Sequence, residues 1–147
     1  MTDTREILEE ASSVLVVGAP SADVPDTLTR AGFSVIVKTG ETDYMARELA
    51  GDEITEHPVE IPAKLDLVYI HGSVQELTAI LMIARSLGAG ALWFQSGRTE
   101  DGTSDPKGCW LSQDEASQAR QSAEDGGLAY VDDVYIADAV REAAIKK

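Results

Sequence analysis

Cysteine is nearly absent from this 147-residue chain: Cys109 stands alone. A single thiol excludes an internal disulfide and any cysteine-rich metal site. Histidine is almost as scarce. His57 and His71 are separated in sequence, so a histidine-built metal centre has little to draw on, and none is expected. Aromatic residues make up only 5% of the chain, which leaves the core to Val, Ile, Leu and Ala. Basic residues are few as well. The 12 Lys plus Arg face 26 Asp plus Glu, a formal net charge of −14. A surface of that sign repels nucleic acid and anionic membrane, because both are bound through basic contacts to phosphate. The carboxylate excess reads as a solubility device, with adaptation to a salt-rich cytoplasm as the alternative. No apolar run approaches the roughly 18 residues of a membrane span. The N-terminus "MTDTREILEEASS" is polar and acidic, unlike a secretory signal. The expectation is a soluble, cytoplasmic chain forming one domain over residues 1–147.

What is present is an alternation of apolar strands and amphipathic helices. Thr2 to Ala11 reads as a short helix with Ile7 and Leu8 inward. "SVLVVG" (13–18) is a continuous β-branched run, which suits a central parallel strand buried on both faces. "DVPDTLTRAG" (23–32) reads as a helix capped by Asp23, with Pro25 in its first turn and Gly32 as its stop. "SVIVK" (34–38) is a strand and "ETDYMARELAG" (41–51) reads as a helix closing on Gly51. "DEITEHPVEIP" fits a short strand or an extended connection. "LDLVYIH" (65–71) is a strand. Residues 73–88 form the clearest helix, with Ser73 as N-cap and Glu76 three residues on. "GALWFQ" (90–95) is a strand with Trp93 and Phe94 in the core. Residues 96–112 are rich in Gly, Ser, Asp and Pro and read as a loop. Ser112 caps a helix that ends at Gly126–Gly127. "LAYV" (128–131) is a last strand and residues 135–145 a last helix. This order implies an α/β, Rossmann-like, three-layer α/β/α fold with a mostly parallel sheet of five or six strands.

In such sheets a ligand sits at the C-terminal ends of the strands, where the strand order reverses. The candidate binding residues are therefore Gly18, Ala19, Pro20 and Ser21, then Lys38 and Thr39, then His71 and Gly72, then Gln95, Ser96 and Gly97. Gly18 lets the backbone approach a ligand closely, and the helix after it offers free N–H groups to an anion. Asp23 and Asp26 stand in the first turn of that helix and compete for the same dipole. Lys38 ends its strand where NAD-binding proteins usually carry an acidic residue for the ribose. A lysine there disfavours NAD and suits an added ribose phosphate; a solvated strand end is the alternative. His71 can donate to a phosphate or a base, or be satisfied by nearby backbone. "GAPSAD" keeps only the first glycine of the dinucleotide fingerprint. No nucleophile elbow joins Ser96, His71 and Asp132 into a triad, so no catalytic residue is expected. Cys109 reads as an incidental thiol. Arg98 to Trp110 is a candidate lid or partner surface.

Several stretches together resemble one family: "VLVVGA", "AGFSVIVK", "IPAKLDLVYI", "ARSLGAGALWFQSG" and "AEDGGLAYVDD". They are similar to the small stand-alone CoA-binding proteins related to the CoA-binding domain of the succinyl-CoA synthetase α subunit. The likeness runs from about Ser13 to Asp133. It implies a Rossmann-like sheet, CoA or a related nucleotide in the crevice, and no catalytic residues. The departures lie on the ligand side. The loop after Gly18 is shorter, Thr39-Gly40 replaces an Asn-Pro pair, and Asp132-Asp133-Val134 replaces Asp-Arg-Cys. Two expectations follow. The first is a non-catalytic protein that binds CoA or an acyl-CoA as its small-molecule partner. The alternative is a regulatory or interaction module that keeps the fold without the ligand. A homo-oligomer or protein partner is compatible with either.

Overall fold

Seven strands lie side by side in the order β4-β3-β2-β1-β5-β6-β7. The computed structural model describes residues 4–147. Helix α1 (Thr4–Glu10) leads into β1 (Ser13–Val17), α2 (Asp23–Arg30) and β2 (Ser34–Lys38). Then come β3 (Tyr44–Ala50), β4 (Glu53–Val59), β5 (Leu67–His71) and α3 (Val74–Ser86). The chain ends with β6 (Ala91–Gln95), α4 (Gln113–Asp125), β7 (Ala129–Val131) and α5 (Ile136–Glu142). The helix expected from residue 2 is found from Thr4; its first two residues lie outside the described ones.

The expected α/β class with a mostly parallel sheet is what the chain adopts. Strands β2, β1, β5, β6 and β7 are all parallel to their neighbours within that set. Their apolar runs are buried on both faces because helices cover both. Leu8, Val16, Leu28, Tyr69, Trp93 and Ile136 form a core under α1, α2 and α5. Leu15, Val68, Leu77, Leu92, Phe94 and Tyr130 form the other, under α3 and α4. Trp93 and Phe94, adjacent in sequence, are fully buried in opposite cores. The Trp93 indole N–H donates to the Val134 carbonyl at 2.8 Å, so its one polar atom is satisfied.

One expected element is overturned. Residues 41–51 do not form a helix: Tyr44–Ala50 is strand β3, antiparallel to both β2 and β4. Met, Ala, Arg, Glu and Leu favour helix, yet the choice was made by pairing rather than by propensity. Tyr44 and Ala46 face one side of the sheet while Arg47 on the other side reaches Asp26 of α2. Gly51 and Asp52 make the two-residue turn, with Gly51 at φ +67°. The ambiguous segment after it is β4, so the sheet has seven strands rather than five or six.

Helix ends follow the expected positions more closely than the expected bonds. Ser112 forms a full capping box with Glu115. Ser73 occupies the N-cap of α3 without a side-chain hydrogen bond. Asp23 does not cap: Ala22 is the N-cap of α2 and Asp23 lies in the first turn. At the end of α5, Ala144 takes φ +51°, and Ile145 N–H closes onto the Val140 carbonyl at 3.1 Å. That is a Schellman closure in which glycine is the usual residue. An L-residue there costs roughly 1–2 kcal/mol, partly offset by glycine's greater freedom when unfolded. Ala144→Gly is expected to raise stability by about 0.5–1 kcal/mol, read as a higher urea midpoint at unchanged slope.

Candidate functional site

The strand order reverses at β1. The chain builds β2 to β4 on one side of it, then crosses to β5, β6 and β7 on the other. The crevice expected at such a switch point lies above the ends of β2, β1, β5 and β6. The structure brings the residues singled out in the sequence into one row along that edge. Gly18 turns away from β1 at φ +75°, and a Cβ on it would collide with the backbone carbonyl of His71. Gly97 turns at φ +70° directly against the His71 imidazole, which a Cβ on Gly97 would strike. Gly72 N–H donates to the Gln95 carbonyl at 3.1 Å. Lys38 ends β2, with Thr39 just beyond it, one strand across from Gly18.

The bend between β1 and α2 is open. Gly18, Pro20, Ser21 and Ala22 are exposed and Ala19 is half-buried. Among the described residues, the N–H groups of Ala19, Ser21 and Ala22 have no hydrogen-bond acceptor. Such a run of free donors beside a helix start is the backbone setting in which anions are held.

The two aspartates that the sequence sets against an anion are both engaged elsewhere. Asp23 accepts from the Tyr135 hydroxyl at 2.7 Å, from Arg141 at 3.2 Å and from Thr27 at 3.4 Å. The Tyr135 bond, then Arg141, hold its carboxyl below the usual carboxylate range against a burial effect of opposite sign. Asp26 is ion-paired with Arg47, which also binds Glu56 at 2.8 Å. Each carboxylate therefore has an arginine beside it, shared with Glu56 or Asp138, which weakens its field at the bend. Tyr135→Phe is expected to cost about 1 kcal/mol at neutral pH. A depressed carboxyl pKa stabilises above the unfolded value, and that contribution is lost as pH falls through the folded one. The gap between wild type and variant should therefore close in acid, measured by urea unfolding at neutral and acidic pH.

Lys38 is half-buried. Its ammonium donates to the Gly40 carbonyl and lies 5.8 Å from the Tyr44 ring centre. It forms no salt bridge among the described residues. Beside it opens a cleft of about 610 Å³ between the ends of β1 and β2 and one face of α3. Its walls are Lys38, Thr39 and Gly40 on one side and Ala79, Ile80 and Ile83 on the other, with Glu41 and Glu76 at the rim. The α3 wall was missed in the sequence. Its signal was there: Ala79, Met82 and Ile83 add apolar residues beyond the stripe Val74, Leu77, Ile80, Leu81 and Ala84 that fills the core.

The remaining candidates are less exposed. His71 is half-buried, and its Nε2 is buried without a hydrogen-bond partner. Burial pushes its pKa below the usual imidazole range, so the ring is neutral at pH 7. Gln95 is fully buried. Its Oε1 accepts from the Tyr69 hydroxyl at 2.9 Å and its Nε2 donates to the Pro106 carbonyl at 2.6 Å. Both ends of the Gln95 amide thus bond within the protein, tying β6 to the loop that follows. Ser96 is buried beside it.

Residues 98–110 fold back on themselves. Gly97 N–H donates to Gly108, Asp105 N–H to Gly97, and Trp110 N–H to Arg98. Arg98 lies 5.6 Å from the Trp110 ring centre and pairs with Glu115 at 3.3 Å. Cys109 sits in this loop. Burial pushes its thiol up to about 11, with Asp133, Asp132 and Asp105 adding to the effect, so it is protonated at neutral pH.

A parallel sheet switching direction beside a glycine bend defines a Rossmann-like α/β protein. The chain belongs to the CoA binding domain family, whose model matches residues 11–137. Solved structures share the fold. One is Prb, a protein redesigned for binding, at 22% identity and a TM-score of 0.60, covering 99% of this chain and 92% of that one. A hypothetical protein from Pyrococcus horikoshii OT3 matches at 19% identity and a TM-score of 0.60, over 97% and 90% of the two chains. A protein from Thermus thermophilus matches at 16% identity and a TM-score of 0.58, over 97% and 99%. No curated protein is matched by sequence.

Proposed function

We propose that this protein is a non-catalytic binder of CoA or an acyl-CoA. The observation that carries the reading is the pairing of Lys38 with an open cleft one strand from an unobstructed glycine bend. The family match supports the same ligand class. In this reading the N–H groups of Ala19, Ser21 and Ala22 hold the pyrophosphate. Lys38, with Thr39 beside it, meets the ribose phosphate, and Ala79, Ile80 and Ile83 pack on the adenine. His71, Gly72 and Gly97 form the floor of the crevice, with Gln95 and Ser96 holding it from below. The residues present fit the group. The cleft volume falls in the range of roughly 300–1,000 Å³ usual for small-molecule sites. Its one cation is not tied to a carboxylate among the described residues, and the first-turn aspartates are ion-paired with Arg141 and Arg47.

Glu41 and Glu76 at the rim favour the second reading, an interaction module that keeps the fold without the ligand. A thermal-shift panel of CoA, acetyl-CoA, NADP, NAD and ATP separates the two. CoA at 100 times its dissociation constant should stabilise the protein by about 2.7 kcal/mol. Indifference to every nucleotide at millimolar concentration would leave the interaction module standing.

A further inference from the structure

Between α2 and α5, on the opposite side of the sheet from α3, lies a second cleft of about 410 Å³. Its lining is unusual for this chain. Three of the 12 basic residues, Arg30, Arg141 and Lys146, border it, and no carboxylate does. Four other surface clefts each have at least one Asp or Glu in their walls. In a chain with 26 acidic side chains, two of these cations pair with no carboxylate among the described residues. Among the described residues, Arg30 donates only to the Asp52 carbonyl, at 3.2 Å, and Lys146 has no partner. Arg141 is engaged by Asp23 and Asp138. The floor is apolar: Ala31 and Val140 are buried, and Ile145 packs against the core.

We propose that this cleft binds a small amphiphilic anion, a short hydrocarbon carrying one carboxylate. The hydrocarbon would lie on Ala31, Val140 and Ile145 while the carboxylate meets Arg30 and Lys146. Cations without carboxylate partners on the lining of an apolar pocket select that combination: hydrocarbon alone leaves the charges unmatched, and a bare anion leaves the floor wet. The volume suits a small molecule. A protein partner would need a contact of about 800 Å² on each side, far more than this cleft presents. The site shares no residue with the cleft beside Lys38, so it stands or falls independently of CoA.

The test is calorimetric titration of the full chain with octanoate, octanol and octylamine. Octanoate is expected to bind at one site, at least tenfold more tightly than either of the others. Arg30→Glu and Lys146→Glu should each weaken octanoate about tenfold, while Lys146→Arg keeps its affinity. Both positions are exposed, so the fold should survive, which circular dichroism verifies. CoA should not compete with octanoate. Equal binding of octanoate and octanol, no octanoate binding, affinity untouched by either charge reversal, or displacement by CoA would each overturn the assignment.

Discussion

Replacing Gly18 by alanine should lower the thermal midpoint by about 6–12 °C, a loss on the order of 3 kcal/mol. Two effects add. At φ +75° an L-side chain costs roughly 1–2 kcal/mol. The new Cβ also collides with the carbonyl of His71, which is backbone at the end of the central strand β5 and cannot swing aside. Overpacking of that kind costs about 1–3 kcal/mol. Gly51 supplies the control. Its φ is +67°, but nothing lies within 4 Å of a Cβ placed there. Gly51→Ala should therefore carry only the conformational cost, about 1 kcal/mol. Scanning calorimetry of the two variants checks the difference. Equal losses would mean that β5 yields, and that the close approach of β1 and β5 is not what requires glycine.

Lys38→Glu should weaken CoA binding about 100-fold, the largest effect on affinity expected of any single side chain. A hydrogen bond between an ammonium and a phosphate contributes about 1.5–3 kcal/mol. Reversing the charge adds a repulsion of about 1 kcal/mol in a partly solvated cleft. Together these approach 3 kcal/mol, or two decades in dissociation constant. The folded protein itself should lose less than about 1 kcal/mol, because Lys38 makes no salt bridge among the described residues and gives up a hydrogen bond to the Gly40 carbonyl. Dephospho-CoA sharpens the result. It lacks the ribose phosphate, so it should bind the wild type more weakly than CoA does and should feel the substitution less. An equal loss for both ligands would move Lys38 off the ribose phosphate and onto the pyrophosphate.

The strands that carry the crevice were legible because they are buried on both faces. Continuous runs such as Val14 to Val17 and Leu67 to Ile70 leave little choice but a covered parallel sheet. The β3–β4 hairpin was not legible. Its strands are largely solvent-exposed, so apolar alternation is weak, and the helix formers from Met45 to Leu49 pointed the wrong way. Gly51-Asp52 is the available signal, because a glycine that can stop a helix can equally make a hairpin turn. The candidate site divides along the same line. The glycines and Lys38 could be placed because strand ends define the crevice edge. The tethering of Asp23 by Tyr135 and Arg141 spans more than 110 residues of sequence, and no local pattern announces it. Gln95 looked like a ligand group because it ends a strand. Only the contacts with Tyr69 and Pro106 show that its amide faces inward.

The acidity of the chain is also reinterpreted by the structure at one point. Asp23 and Asp26 stand at the helix start, as expected, yet each is matched by an arginine from another element, α5 or β3. Local sequence predicts repulsion of a phosphate there, while tertiary pairing removes much of it. The same pairing ties α2 to α5 and to the hairpin.

A crystal structure grown with saturating CoA tests the central claim most directly. The predicted result is pyrophosphate density against the N–H groups of Ala19, Ser21 and Ala22, with the ribose phosphate within hydrogen-bond distance of the Lys38 ammonium. A crevice left empty beside Gly18, or CoA lodged elsewhere on the surface, would contradict it.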